Sequence, residues 1–186
     1  MAHPFLASVA TELGRRNIAT LRYQFLYMER GSKRPDPPKL AHAAVRAAVA
    51  EAARLLPGLP LIAGGKSFGG RMTSQAQAAA PLPAVRGLAF LGFPLHPAGQ
   101  PSRDRGKHLF DVRLPMLFLQ GTRDALANLD QLEALCRALG ERATLTLFED
   151  ADHSFHVPAR SGRKDAQVMS DMLDAFAAWT DDQIAR

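Results

Sequence analysis

With 186 residues and 47% hydrophobic content, the chain is long enough to bury one core and reads as a single domain over 1–186. No run reaches 18 apolar residues and the amino terminus lacks the order of charge and apolar run that marks a secretion signal, so no membrane association is expected. The formal net charge is +5, but its arginines are scattered, with loose groups at Arg30, Lys33, Arg34 and at Arg103, Arg105, Lys107. Neither zinc-finger spacing nor basic–aromatic interleaving accompanies them, so nucleic acid is not the expected partner.

Residues 3–14, HPFLASVATELG, place Phe5, Val9 and Leu13 four apart and end in Gly14, a candidate C-cap, so a helix is expected. NIATLRYQF, residues 17–25, mixes β-branched and aromatic side chains and reads as a strand. YMERGSKRPDPP is a loop, and an alanine-rich helix over 39–56 follows, stopped by Pro57-Gly58. A short apolar strand at 61–63 is expected to break at Gly64 and Gly65, and a helical pattern resumes beyond Ser67. Further strands are expected at 85–90, 116–120 and 144–148, with helices at 129–139 and 165–179. The single Cys136 falls in the 129–139 helix as a packed thiol, in keeping with a reducing, cytoplasmic compartment. Strands alternating with helices of ten or more residues indicate an α/β fold, a mainly parallel sheet with helices on both faces. The stretch 92–114, GFPLHPAGQPSRDRGKHLFDVRL, is long for a structureless loop and is read as one wall of a pocket, with room for a short helix.

Gly65-Lys66-Ser67-Phe68-Gly69 is a G-x-S-x-G between a predicted strand and a predicted helix, the context in which the motif forms a nucleophile elbow. The turn would lift the Ser67 hydroxyl above the sheet and aim the first helical N–H groups at developing negative charge. A phosphate loop is the rival, since Gly65-Lys66-Ser67 ends a G-x-x-x-x-G-K-[ST]. That motif needs a glycine at position 60, and position 60 is Pro60. The bland alternative is a serine that merely caps a helix.

A serine hydroxyl needs a base within hydrogen-bond reach and a group to orient that base. Asp124 follows the 116–120 strand directly, and His153 follows the 144–148 strand, both at the ends where parallel α/β sites lie. The order Ser67, Asp124, His153 is the serine–acid–histidine order of α/β-hydrolases. Competitors are His156 for the base and Asp150 or Asp152 for the acid. His96 and His108, in the 92–114 loop, are candidates for the pocket wall. With one cysteine and no H-E-x-x-H, no metal is expected, nor any cofactor. His3 and His42 fall in helical segments, where packing or solvent exposure is the ordinary role.

GGKSFGGRM, LPMLFLQGTRD and LFEDADHSF, and with them the loop GFPLHPAGQPSRDRGKHL, resemble the small bacterial α/β-hydrolase proteins related to dienelactone hydrolases. They are similar also to the hydrolase-like domain of a testis-expressed protein and a chromatin-complex subunit of animals. The resemblance covers the chain from HPFLASVA onward. It implies an α/β-hydrolase fold with Ser67 as nucleophile, Asp124 as acid and His153 as base, acting on a small acyl substrate that it does not identify. The resemblance implies that the Phe68 N–H gives the first oxyanion donor, and such proteins begin with strands and an H-G-x-G-type loop that gives the second. This chain is therefore expected to be amino-terminally incomplete, lacking the first strands. Loss of one donor would cost roughly 2.7 to 4 kcal/mol of transition-state stabilisation. Two functions follow as expectations: a serine hydrolase, impaired by the missing loop, or a non-catalytic interaction module on the same fold. The 17–25 strand is expected to stand apart from the elbow strand, leaving a slot and an exposed sheet edge open to self-association.

Overall fold

A computed structural model of the chain describes residues 4–185. Four parallel strands lie side by side in chain order: β1 (Leu61–Lys66), β2 (Val85–Leu91), β3 (Met116–Gly121) and β4 (Ala143–Phe148). Parallel neighbours require crossovers, and helices supply them. The helices are α1 (Pro4–Gly14), the single turn α2 (Leu26–Glu29), α3 (Pro38–Leu55), α4 (Phe68–Ala79), α5 (Leu129–Leu139) and α6 (Asp165–Ile184). None of the described helices is long and apolar enough to cross a membrane.

The period-two alternation of the strands divides the interior into two cores. Leu88, Phe90, Met116 and Phe118 point to one face, where Val45 and Val49 of α3, Met72 of α4 and Leu132 of α5 cover them. Ala89, Leu91, Leu117 and Leu119 point to the other, under Val9 and Leu13 of α1 and Val168, Met172 and Phe176 of α6. Every residue of β3 is buried, whereas every residue of β1 is half-buried, as befits a central strand and an edge. Among the described residues the outer edge of β1 has no strand partner.

Several expectations are corrected. β1 does not break at its glycines but continues through them to Lys66. A Cβ at Gly64 would stand 1.9 Å from the Ala89 carbonyl oxygen, so glycine is what admits β1 against β2. Residues 17–25 form no strand. Ile18 packs into the α1–α6 core while Tyr23 and Phe25 pack into the α3–α4 core, so the segment's β-branched and aromatic residues link two cores rather than fill a ladder. The expected slot beside a separated strand thus has no strand to define it. Gly14 is not a left-handed cap. That conformation falls to Asn17, at φ 58°, with the Ile18 N–H returning to the Leu13 carbonyl. The first residues of the loop expected over 27–38 belong to α2, and α6 runs past 179 to Ile184. The short helix for which 92–114 was given room is present, as a 3-10 helix over Asp104–Asp111.

Candidate active site

Ser67 is the only residue between the end of β1 and the start of α4. Its backbone is left-handed, φ 53° and ψ −117°, a conformation that costs a non-glycine residue about 1–3 kcal/mol. Hydrogen bonds on both sides hold it there. The Ser67 N–H donates to the Leu91 carbonyl at 3.3 Å, and its carbonyl accepts the Arg71 N–H at 3.1 Å. Phe68 opens α4, so its N–H has no acceptor within the helix. The Phe68 ring is set by edge-on contacts with Phe25, 5.2 Å between centroids, and Tyr27, 6.0 Å. Both come from the stretch between α1 and α3.

His153 lies on the loop between β4 and α6, and that loop is tightly tied. The Asp152 carboxylate accepts the N–H groups of Ser154 and His156, and the Thr122 hydroxyl accepts that of Asp150. Asp150 and Phe155, on either side of His153, both have positive φ. His153 Nε2 is 2.8 Å from Ser67 Oγ, and its Nδ1 is 2.6 Å from Asp124 Oδ2. Gly92, at φ 73°, makes room for the imidazole: a Cβ there would sit 3.3 Å from Nδ1.

Asp124 stands just beyond β3 with its side chain fully buried, while that of His153 is 22% exposed. A buried carboxylate needs donors, and it has three. Oδ1 accepts the Leu126 N–H at 2.8 Å, and Oδ2 accepts His153 and the Gln120 side-chain amide. Gln120, itself buried, accepts the Phe93 N–H at 2.8 Å through its other end. A chain of hydrogen bonds thus runs from Ser67 through His153 and Asp124 to Gln120 and the start of the 92–114 loop. Sequence reasoning passed over Gln120, although one polar residue closing the apolar run MLFLQ is a signal that a buried partner awaits it.

The other candidates go elsewhere. The Asp152 carboxylate serves the loop backbone, Asp150 donates only its backbone N–H, to the Thr122 hydroxyl, and His156 pairs on the surface with Asp165 at 2.8 Å, which raises the His156 pKa. His96 is buried and accepts the Asn128 N–H at 2.7 Å. With Leu95, Pro97 and Arg105 it lines a shallow concavity of about 400 Å³ that includes none of Ser67, Asp124 and His153. His108 joins its 3-10 helix to α4 through Ser74 Oγ at 2.7 Å. Burial, aided by the nearby charges of Arg71 and His42 and opposed by Asp111, pushes the His108 pKa down to about 4. His3 lies outside the described residues. Among the described residues no three His, Cys, Asp or Glu side chains group closely enough to hold a metal ion.

The arrangement can move a proton from a hydroxyl to an imidazole whose far nitrogen is held by a carboxylate. The Alpha/beta hydrolase domain family matches residues 1–181. Solved structures similar in fold include a serine hydrolase without a lid from Xanthomonas campestris, at 22% identity and TM-score 0.72, over 96% of this chain and 75% of that one. A serine hydrolase homologue from Coxiella burnetii aligns at 17% identity and TM-score 0.74, over 94% and 77%. A dienelactone hydrolase from Anabaena variabilis aligns at 19% and 0.68, over 96% and 78%. At these identities the likeness establishes the fold, here with a four-stranded parallel sheet, fewer strands than that fold usually carries.

Proposed function

We propose that this chain, which belongs to the Alpha/beta hydrolase domain family, is a serine hydrolase that cleaves small esters or related acyl substrates through an acyl-enzyme. The observation that carries the reading is the pair of bonds in series, Ser67 Oγ to His153 Nε2 at 2.8 Å and His153 Nδ1 to Asp124 Oδ2 at 2.6 Å, mounted on a strained strand-to-helix turn. Ser67 Oγ attacks the acyl carbon and its proton passes to Nε2. The Phe68 N–H stabilises the oxyanion, and Asp124 holds the Nδ1–H and balances the imidazolium. Collapse expels the alcohol, which takes the proton from His153, leaving Ser67 acylated. Water then attacks the acyl group, giving its proton to Nε2, and the second collapse releases the acid and restores the serine. Ser67 is half-buried and His153 partly exposed, so the reacting atoms are reachable from the surface.

Labelling with a fluorophosphonate probe tests the reading, because the probe reports an activated serine without requiring the natural substrate. The expected outcome is saturable labelling of the parent chain and none of Ser67→Ala. Folded parent protein that stays unlabelled, or variant labelled equally, refutes it. That result would favour the interaction-module reading.

A further inference from the structure

We propose that Lys66 is a positioning residue, whose ammonium holds the carbonyl of His153 and so fixes the base against the serine that follows Lys66 in the chain. The inference rests on the roles given above to Ser67 and His153. Lys66 Nζ donates to the His153 carbonyl oxygen at 2.6 Å. The same ammonium lies 5.0 Å from the centre of the Phe5 ring of α1 and 6.0 Å from that of Phe155, two residues beyond His153. Those rings stack on each other, 5.8 Å between centroids and 15° between planes. One cation therefore gathers α1, the last residue of β1 and the histidine loop.

A lysine drawn inward in this way gives up hydration and the rotamer freedom of a long side chain. Burial lowers its pKa, and the charges of Asp124 and Asp152 oppose that shift. What it obtains is a charge-assisted hydrogen bond and two aromatic faces, interactions that strengthen away from water. The histidine loop needs such a tie. It carries two non-glycine residues at positive φ, and its other backbone ties run within the loop or to Thr122 and Arg123 beyond β3, not to the elbow. The Lys66 bond spans that gap on the backbone of His153, while the Ser67 bond spans it on the side chain. Two adjacent residues of the elbow thus grip the two ends of one histidine. Loss of the backbone grip would let Nε2 drift, and a misplacement of about 1 Å costs on the order of a hundredfold in rate.

Lys66→Met keeps the apolar stem and removes the donor, and Lys66→Arg keeps a donor. Steady-state hydrolysis of p-nitrophenyl acetate is expected to show kcat lowered about tenfold to a hundredfold in Lys66→Met, with KM within about twofold of the parent. Lys66→Arg should recover kcat to within about fivefold, a rescue that a merely space-filling lysine would not require. Hydrogen–deuterium exchange supplies an arm independent of turnover: amides 153–156 should exchange about tenfold faster in Lys66→Met, with those of β2 and β3 unchanged. Unchanged loop exchange overturns the proposal, as does unchanged kcat in a parent that shows Ser67-dependent turnover, or a change in KM alone. A parent with no such turnover defeats the hydrolase reading, and the exchange arm then still decides whether Lys66 holds the loop.

Discussion

Two serine–histidine hydrogen bonds flank α4, one at its start and one two turns along. Their lengths are nearly equal, 2.8 Å for Ser67 with His153 and 2.7 Å for Ser74 with His108, yet their surroundings make them opposites. Ser74 is fully buried inside the helix, and its hydroxyl donates to the Arg71 carbonyl at 3.0 Å, as helical serines commonly do. Its oxygen is left to accept, so His108 must donate. At Ser67 the direction reverses. The carboxylate of Asp124 claims the Nδ1–H of His153, and Nε2 is left to accept the serine proton. The neighbouring acid and the backbone strain, rather than the Ser–His contact, separate the pair proposed to react from a structural strut.

Replacing each histidine should expose that difference most strongly. His153→Ala is expected to lower esterase kcat on the order of a millionfold, and His108→Gln to leave it within about threefold. Comparable losses in both variants would break the comparison. Next in size is Asp124→Asn, which keeps the shape of the site but offers an amide where Nδ1–H needs an acceptor. A loss of about ten thousandfold is expected, with the fluorophosphonate labelling rate falling in parallel. A loss under tenfold would mean that the acid does not set the proton's direction. Gln120→Leu should act more weakly. It leaves the buried Phe93 N–H without an acceptor, a loss of about 2 kcal/mol in a urea titration, and slackens Asp124 enough for roughly a tenfold fall in kcat. Full activity with the stability loss alone would confine Gln120 to packing.

The elbow and its partners were legible because each is written as a local signal: a G-x-S-x-G at a strand–helix boundary, then an aspartate and a histidine just past two later strands. The helices 39–56 and 129–139 were legible from periodicity, which tertiary contacts here did not override. Residues 17–25 misled because β propensity records the fit of a side chain to a packed surface, and Tyr23 and Phe25 found that surface on α3 and α4. Gly64 and Gly65 misled because a glycine reads as a break unless the close approach of another strand is known. Lys66 was visible only as a letter of the motif. Its partner, a backbone carbonyl 87 positions away, has no sequence signature.

The last and smallest expected effect is one of pH, and it tests His108 as a strut that must stay neutral. In the folded protein its pKa is pushed from 6.5 down to about 4, chiefly by burial, with Arg71 and His42 adding to the shift and Asp111 opposing it. Between those two values the unfolded chain takes up a proton that the folded chain refuses. Stability from this group is therefore complete above about pH 6.5 and is lost progressively as pH falls toward 4, with no further loss below. After allowance for the partial exposure of the ring, the loss should be about 2 kcal/mol. His156 works in the opposite sense, since its pairing with Asp165 raises its pKa and favours the folded state at low pH. A difference between two proteins that both keep His156 cancels that contribution. His108→Gln can still donate an amide N–H to Ser74 Oγ but carries no titrating group. Urea unfolding at pH 7 should place the two proteins within about 1 kcal/mol of each other, and at pH 4 the parent should have lost about 2 kcal/mol more than the variant. Parallel losses would mean that the His108 ring is wet enough to titrate at its ordinary value.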